Sequence, residues 1–558
     1  MTTAFTVDGV DLLEAGLDSA AITTAARRAA AVQRLREGQR EAIEAALERD
    51  TIAVLATGTG KTAVYETMGF LLDGPTVVVS PTLALQRDQV RALKAHGHAA
   101  SSVSSARGQA AQRDALDRFA AGELEFLLLS PEQLAKDDVL DRVAAGRPSL
   151  FVVDEAHCLS EWGHDFRPDY LGLGHAVRRL GRPRVLALTA TAAPRVRRDI
   201  AERLGMRDPA MVVGAADRPA IRLGARLFGG ARERDEALVE AAVGVRGAVI
   251  VYAPTRRRTE ELAAMIEAAG RPAVVYHAGL PARRRKEVQD AFLGAADGVD
   301  LIVATNAFGM GVDRPDVRAV LHAGPATSVD EYFQEVGRAG RDREPAVAEL
   351  FYRLEDFALG RYFESGGGAR EEDLVRVVTV LLNAHEAGDG PLGQAELARR
   401  TGLTPRRLPL ALGTLDAGGA LLKRRTGVQL AAAARRDPGG VVEDALAERD
   451  RRREFDGTRV DMVRAYAETL DCRRRVILEL LGEDHPQRCG NCDNCEAGRS
   501  NDSGDRPYPI GSTVRHAEWG PGTVSHYEGD RVVVLFADLG YRTLSLPLVL
   551  EKGLLTPV

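Results

Sequence analysis

Short apolar runs recur from residue 52 to residue 322, each bounded by turn residues and followed by a stretch with helical spacing. Ile52–Leu55, Thr76–Ser80, Phe126–Leu129, Leu150–Val153 and Val185–Leu188 form a first set, which closes around Gly205–Pro209. Ala248–Tyr252, Ala273–Tyr276, Leu301–Ala304 and Val317–His322 form a second. Apolar runs without alternation predict strands buried on both faces. Strands that alternate with helices predict parallel sheets, so an α/β chain with two sheet lobes is expected. From residue 371 the pattern changes. Glu371–Leu382, Pro391–Ala398 and Pro405–Leu415 read as helices, and Leu421–Leu430 alternates weakly around a turn, the outline of a winged helix. Ala432–Glu454 is charged, Ala-rich and interrupted by glycine, and reads as a linker. Ile510–Val558 carries short alternating strands with glycines between them, which predicts a small all-β barrel of SH3 or Tudor type. The expected divisions are 1–30 as an N-terminal extension, 31–209 and 210–365 as the two lobes, and 366–431 as the winged-helix candidate. A linker at 432–457, a helical cysteine module at 458–498 and the barrel at 508–558 complete the chain.

Composition narrows the class. The chain has 558 residues, enough for several domains, and a hydrophobic content of 45% that supports real cores. Its formal charge of −6 gives no global attraction to nucleic acid, so any such surface must be a local patch. No apolar run reaches the roughly 18 residues of a membrane span, and no basic-then-apolar leader opens the chain. A cytoplasmic protein with no membrane contact is expected.

The strongest candidate chemistry begins at the first strand. Gly58, Thr59, Gly60, Lys61 and Thr62 follow it directly, the strand–glycine loop–helix order of a phosphate-binding loop. Glycines let backbone N–H groups turn onto phosphate oxygens, and the following helix adds its positive end. Lys61 would reach the outer phosphates of ATP, and the Thr62 hydroxyl would bind Mg²⁺. Leu55 stands where the usual first glycine would be. The fourth strand ends in Asp154-Glu155-Ala156-His157. Asp154 would hold the Mg²⁺ shell, Glu155 would orient the attacking water, and His157 would sense the γ-phosphate or serve as a turn residue. Upstream, Arg36 and Gln39 open a helix, and a Gln amide can read an adenine edge. Far downstream, Arg338 and Arg341 lie three residues apart and are expected to share a helix face. They would clamp phosphate, one as an arginine finger, or else pair with Glu335 and Asp342.

Other residues suggest contact with nucleic acid. Trp162, Phe166 and Tyr170 interrupt a polar segment that also holds Arg167, and aromatics with arginine can stack on bases. Arg283–Lys286 form a basic cluster that either meets backbone phosphates or lies on a solvated helix face. Arg406 and Arg407 open the second helix of the winged-helix candidate and would touch DNA there, unless the module serves packing or contact with a protein. Cys472, Cys489, Cys492 and Cys495 have the spacing of a four-thiolate Zn²⁺ site, while Cys158 stands apart from them. Arg473, Arg474 and Arg475 follow the first of these cysteines and would face DNA.

Taken together, these residues resemble the RecQ family of superfamily 2 DNA helicases. The resemblance runs from about Leu35 to Asp342 and resumes from Val460 to Cys495. It is carried by LREGQ at 35–39, TGTGKT at 57–62, SPTLAL at 80–85, DEAHCLSEWGHDFRPDY at 154–170 and TATA at 189–192. In the second lobe it is carried by YHAGL at 276–280, ATNAFGMGVDRPDVR at 304–318 and QEVGRAGRD at 334–342. It implies two RecA-like lobes and an ATP- and Mg²⁺-dependent enzyme. Such an enzyme unwinds tailed or forked duplex DNA 3′ to 5′ from a single strand, in repair or recombination. Arg36 and Gln39 would contact adenine, and Thr57, Gly58, Thr59, Gly60, Lys61 and Thr62 would hold phosphate and metal. Asp154 and Glu155 would serve metal and water, Arg338 and Arg341 the γ-phosphate. Asp313 and Gln334 would join the network between lobes, and Trp162, Phe166 and Arg167 would link DNA contact to hydrolysis. Leu35, Ala56 and Thr59 depart from the usual motif residues, and the interval from Arg341 to Cys472 is longer than usual. The final module resembles Tudor-like tails of some bacterial superfamily 1 helicases, which implies a protein partner such as RNA polymerase. The Ala- and Arg-rich bias suggests an actinobacterial source. An RNA helicase or a non-unwinding translocase is the alternative enzyme. A scaffold with a dead ATPase is disfavoured by the intact Lys61, Asp154, Glu155 and Arg341.

Overall fold

The computed structural model describes residues 6–7, 10–11 and 19–558, apart from 57, 105–106, 161–166, 215–216, 295–298, 310–313, 359–368, 406, 425–426, 484, 486, 501–505 and 537–538. A two-residue hairpin, β1 (Thr6–Val7) and β2 (Val10–Asp11), precedes the first lobe. That lobe is built on β3 (Thr51–Val54), β4 (Thr76–Val79), β5 (Ala100–Val103), β6 (Phe126–Leu129), β7 (Leu150–Val153), β8 (Arg184–Thr189) and β9 (Ala210–Val213). They form one sheet in the order β5-β6-β4-β7-β8-β3-β9, with every pairing parallel. The apolar runs explain this directly. In β3, Ile52 and Val54 enter the core on one face of the sheet, while Ala53 and the following Leu55 enter the core on the other. Both faces are covered by helices, so neither tolerates polar alternation.

The second lobe repeats the design with β10 (Ile221–Leu227), β11 (Ala248–Tyr252), β12 (Val274–Tyr276), β13 (Leu301–Ala304), β14 (Val317–His322) and β15 (Ala346–Tyr352). Their order is β10-β15-β14-β11-β13-β12, again all parallel. Four strands of the two sheets fall outside the predicted sets: β5, β9, β10 and β15. In β5 the sequence Ala-Ser-Ser-Val is buried at every position, and its small hydroxyl residues give no apolar signal. β10 and β15 pair with each other at the sheet edge and have half-buried positions, which dilutes the run.

Beyond the lobes, the helices Glu371–Glu386, Gln394–Thr401 and Arg407–Ala417 precede the hairpin of β16 (Leu421–Arg424) and β17 (Gly427–Leu430). The expected linker is corrected by the structure. A short helix, Ala432–Arg436, leads into one helix of 31 residues, Pro438–Glu468. Asp437 caps it by accepting from the Gly440 N–H, and Pro438 occupies its first position. Charged and alanine residues are good helix formers, so their density marks a solvated helix rather than a tether. Its start packs Val442 and Ala445 on the three-helix core, and its end packs Val460, Val463 and Tyr466 on one face of the second sheet. Residues 473–480 form a further helix against that same face.

The C-terminal module is an antiparallel sheet of β18 (Thr513–His516), β19 (Gly520–Glu528), β20 (Arg531–Phe536), β21 (Gly540–Ser545) and β22 (Leu555–Pro557), in the order β21-β20-β19-β18-β22. It touches the long helix, where Tyr541 N–H donates to Thr458 Oγ1 at 3.4 Å. It also touches the first lobe, where Arg198 Nη2 donates to Thr523 Oγ1 at 3.0 Å. No helix among the described residues is long and apolar enough to cross a membrane.

Candidate active site and metal centre

The site is assembled where β3 ends. Gly58 and Gly60 adopt φ of 75° and 80°, the left-handed region that costs glycine nothing. Thr59 folds the loop back by donating from both N–H and Oγ1 to the Ala56 carbonyl, at 3.2 and 2.7 Å. Lys61 then opens the helix Lys61–Leu71, whose positive end faces the loop. Thr57 lies outside the described residues.

Lys61 Nζ is 3.5 Å from Glu155 Oε2, and both atoms are buried without a hydrogen-bond partner among the described residues. Asp154 beside them is 5% exposed and accepts from Gln89 Nε2 at 2.7 Å and from the Glu155 N–H at 3.0 Å. Burial, then the neighbouring Glu155 charge, raises the Asp154 pKa to about 6, opposed by Lys61. Glu155 is a non-glycine residue held at φ 50°, ψ 49°. Such backbone costs about 1–3 kcal/mol and is kept where the surroundings demand it. It starts the short turn Ala156–Leu159 and brings His157 Nδ1 to 2.9 Å from Thr189 Oγ1 and 3.5 Å from Glu155 Oε2. Thr189 Oγ1 donates to the Thr191 carbonyl. The acidic motif and the 189–192 turn are therefore one hydrogen-bonded unit.

Arg36 and Gln39 are found gripping the loop. Arg36 Nη1 donates to the Gly58 carbonyl at 2.9 Å, and Gln39 Nε2 donates to the carbonyls of Thr59 and Gly60 at 2.7 and 2.9 Å. Gln39 Oε1 accepts from the Arg36 N–H at 2.8 Å. The Gln39 amide thus has both ends committed within the protein.

Arg338 and Arg341 do not share a helix, which corrects the expected placement. The helix Val329–Val336 stops short of them, and both sit on the turn that follows. Gly337 caps the helix with φ −61°, and Gly340, with φ 54°, turns the chain out of the helical path. Instead of a common face, the turn gives each arginine its own direction. Arg338 is 3% exposed, beside Gly309. Arg341 crosses to the first lobe: a Cβ on Gly58 would lie 3.0 Å from Arg341 Cδ and 3.1 Å from its Nε. At φ 75° a side chain there would be strained, and Arg341 would have to shift to make room for it. Gln334 is half-buried on the helix before the turn, and Asp313 lies outside the described residues.

Between the lobes is a cavity of about 800 Å³ lined by Arg36, Gly58, Arg218, Arg341 and Arg343 among others. Burial, then the charges of Arg341, Arg36 and Arg343, lowers the Arg218 pKa to about 10. Arginines converging on one cleft call for an anionic occupant, and the volume suits a nucleotide. Arg218 and Arg343 were not legible as site residues. Neither belongs to a strand end, and only the fold brings them to the loop at 58.

The residues expected at DNA are placed unevenly. Trp162, Phe166 and Arg406 lie outside the described residues. Arg167 Nη1 donates to the Pro81 carbonyl at 3.0 Å, tying the acidic segment to the end of β4. Arg407 makes a two-pronged contact with the buried carboxylate of Asp373, at 2.9 and 2.5 Å. The Arg283–Lys286 cluster lies on an exposed helix face with Glu287 and Asp290, the solvated alternative. Arg473, Arg474 and Arg475 are not a DNA surface. They are 3%, 5% and 2% exposed and pair with Asp493, Asp217 and Asp471.

The cysteine prediction converges in space. The Sγ atoms of Cys472, Cys489, Cys492 and Cys495 all lie within 4.8 Å of one another. Backbone N–H groups of Cys489, Asn491 and Cys495 donate to Sγ of Cys472, Cys489 and Cys492. Donors aimed at sulfur favour thiolates, and four thiolates at this spacing fit tetrahedral Zn²⁺. The cluster is docked on β10: Leu223 pairs with Cys492 in a parallel bridge, and Arg222 pairs with Glu496 at 2.6 Å.

Comparison with known proteins agrees with this geometry. Family models match in chain order: DEAD/DEAH box helicase over residues 36–200, helicase conserved C-terminal domain over 233–343, and RecQ zinc-binding over 439–496. A probable ATP-dependent DNA helicase RecS of Bacillus subtilis is 37% identical over 380 residues, covering 68% of this chain and 76% of that protein. The ATP-dependent DNA helicase RecQ of Synechocystis is 31% identical over 502 residues, covering 86% and 99%. RecQ of Pasteurella multocida is 38% identical over 328 residues, and the match spans 51% of its length. Among solved structures, the DUF1998 helicase MrfA bound to DNA superposes with a TM-score of 0.51 at 17% identity, covering 74% of this chain and 62% of that one. The DEAD-box helicase Mss116 bound to ssRNA and UDP-BeF gives 0.51 at 19%, covering 73% and 90%. At such identities these two show the fold of the paired lobes alone. By its motifs, its four-cysteine module and its near full-length match to a RecQ protein, the chain belongs to the RecQ family of ATP-dependent DNA helicases.

Proposed function

We propose that this chain is a DNA-dependent ATPase and a 3′→5′ helicase that unwinds tailed or forked duplex DNA, in repair or recombination. One observation carries the reading: Arg341 of the second lobe lies against Gly58 of the phosphate loop, beside Lys61, Asp154 and Glu155 of the first. A nucleotide in that cleft would touch both lobes. Lys61 and the loop would hold its β- and γ-phosphates, while Arg338 and Arg341 would offset charge on the transferring phosphoryl group. Arg36 and Gln39 would release the loop carbonyls and turn to the adenine, and Gln334 and Asp313 would link the lobes. Mg²⁺ would be held by Asp154 and the Thr62 hydroxyl, and bound there it supplies charge neutralisation at the phosphates. Lys61 Nζ and Glu155 Oε2, buried and paired with each other at 3.5 Å, are the atoms that phosphate and the attacking water would satisfy. Glu155 would then orient that water and take its proton. Hydrolysis removes the bridge between lobes, and their opening would step the strand bound across them.

The remaining modules support this reading in different ways. Trp162, Phe166 and Arg167 would report DNA to the acidic motif, since Arg167 already anchors to the end of β4. We read 366–431 as a winged helix in which Arg406 and Arg407 approach DNA, although Asp373 competes for Arg407. The four cysteines would hold one structural Zn²⁺. The sheet at 508–558 is read as an SH3- or Tudor-like barrel for a protein partner such as RNA polymerase. Leu548 and Leu550, 41% and 53% exposed on its helix, are the apolar residues such a partner would cover. The Ala- and Arg-rich composition supports an actinobacterial source.

The test is unwinding of 3′-tailed and 5′-tailed DNA duplexes with ATP and Mg²⁺. The expected result is separation of the 3′-tailed substrate only, lost in Lys61→Ala. Stimulation of ATP hydrolysis by RNA as strongly as by single-stranded DNA would favour an RNA helicase instead.

A further inference from the structure

Buried arginines next to the cysteine ligands have no place in the mechanism above, yet one of them ties its parts together. Arg474, two residues after Cys472, pairs with the Asp217 carboxylate at 3.0 Å. Its Nη2 also donates to the Arg218 carbonyl at 3.2 Å and to that of Ile221 at 2.5 Å. Asn491, between two ligands, donates from Nδ2 to the Pro219 carbonyl at 2.8 Å. The cysteine module therefore grips the segment 217–221, the start of the second lobe, by three backbone carbonyls and one carboxylate. That segment does not stop at β10. The Arg218 side chain leaves it in the other direction and donates to the carbonyls of Gly337, Ala339 and Gly340, at 3.3, 3.0 and 3.1 Å. Those carbonyls belong to the turn that carries Arg338 and Arg341, and Arg341 lies on Gly58 of the phosphate loop.

We infer that Arg218 is a positioning residue for the arginine pair. It is fixed by the zinc module through Arg474 and Asp217, and it sets the 337–341 turn at the distance from which Arg341 reaches the nucleotide. The inference rests on the proposed role of that arginine pair in ATP hydrolysis. Its chemistry is specific to a guanidinium. The turn has left the helix, so its carbonyls lose helical donors, although that of Gly340 still accepts from the Arg343 N–H at 3.0 Å. A planar group with several N–H donors reaches the Gly337, Ala339 and Gly340 carbonyls at once, which an ammonium on a flexible stem does not reproduce. Nothing in the contact is itself catalytic. Its loss would let the turn drift, and a displacement of roughly 1 Å at a reacting group costs on the order of 100-fold in rate.

The same geometry separates this role from a second one. Arg218 lines the nucleotide cleft, so its charge could act on phosphate directly. A lysine would keep the charge and lose the triple contact. The experiment compares Arg218→Ala, Arg218→Lys and Asp217→Asn in the full zinc-loaded chain, the last cutting the tie to Arg474 with little change in volume. Two quantities are read: amide hydrogen exchange without nucleotide, and DNA-stimulated ATP hydrolysis. In both Arg218 variants, exchange at Gly337–Gly340 should rise about tenfold or more while β3 keeps its protection. The kcat should fall roughly 10- to 100-fold with KM for ATP within about threefold, and lysine should not rescue it. Asp217→Asn should shift both in the same direction by less, with zinc still bound. Unchanged exchange at the turn, or restoration of kcat by lysine, would overturn the inference. If the wild-type chain hydrolyses no ATP in the presence of DNA, the proposed function fails, and the exchange measurement still decides whether Arg218 holds the turn.

Discussion

Asp154 shows how one residue is set against the stability of its own fold. Its pKa of about 6 exceeds the ordinary 3.8 because burial and the Glu155 charge penalise ionisation. A carboxyl raised in the folded state adds stability below 3.8, where both states hold the proton. That stability is lost as pH rises through about 6, where the folded site must give its proton up. The gap corresponds to about 3 kcal/mol at neutral pH. Asp154→Asn is therefore expected to raise the melting temperature of the nucleotide-free chain at pH 7.5, with the difference closing by about pH 4, while ATP hydrolysis is lost. Calorimetry across that range checks the sign. The residue type and its place after a buried strand were legible in the sequence. The size of the shift was not, because it depends on Gln89, Lys61 and the surrounding core.

At the scale of elements, the decisive contacts lie between ones far apart in the chain. The phosphate loop and the 337–341 turn meet at Gly58, where both φ and the nearness of Arg341 disfavour a side chain. Gly58→Ala should lower kcat for ATP hydrolysis at least about tenfold and the melting temperature modestly, and Arg341→Ala should lower kcat about 10³-fold, the scale of a lost arginine finger, with the melting temperature little changed. Steady-state kinetics with a thermal scan separates these effects from misfolding. The cysteine cluster is a second such junction. Cys492 both completes the ligand set and bridges to Leu223 on β10. Cys492→Ser is expected to reduce bound zinc from one per chain to well below one, and to loosen β10 before the centre of the sheet. Metal analysis and hydrogen exchange read the two results. The spacing of the cysteines announced the metal, and nothing in it announced the strand on which the cluster would rest.

For the whole molecule, the C-terminal sheet is more than an appendage. Glu479 of the 473–480 helix is 1% exposed, and burial raises its pKa. It receives Arg506 Nη2 at 2.5 Å and the Tyr527 N–H at 3.2 Å, both from the C-terminal segment. Val533 of β20 belongs to the same core as the second lobe. Deletion of 508–558 would uncover apolar surface and strip Glu479 of one backbone donor. The expected outcome is a melting temperature lower by several degrees, followed by thermal scanning.

By itself, the sequence determined what is local and chemical. Uninterrupted apolar runs specified two stacks of strands covered on both faces. Glycines beside Lys61, paired acids after β7 and four spaced cysteines marked where each candidate site would lie. Side-chain type and near-neighbour spacing suffice for such features, because the groups act within one turn or one strand end. The tertiary structure alone decided which distant groups share a site. It brought Arg218 and Arg343 into the nucleotide cleft and moved Arg338 and Arg341 from a helix face to a turn. It turned Arg473, Arg474 and Arg475 from an expected DNA surface into buried ion pairs. It also made the expected linker a helix with a core at each end. In each case charge alone was ambiguous, since the same arginine faces water, phosphate or a buried carboxylate according to what the fold sets opposite it.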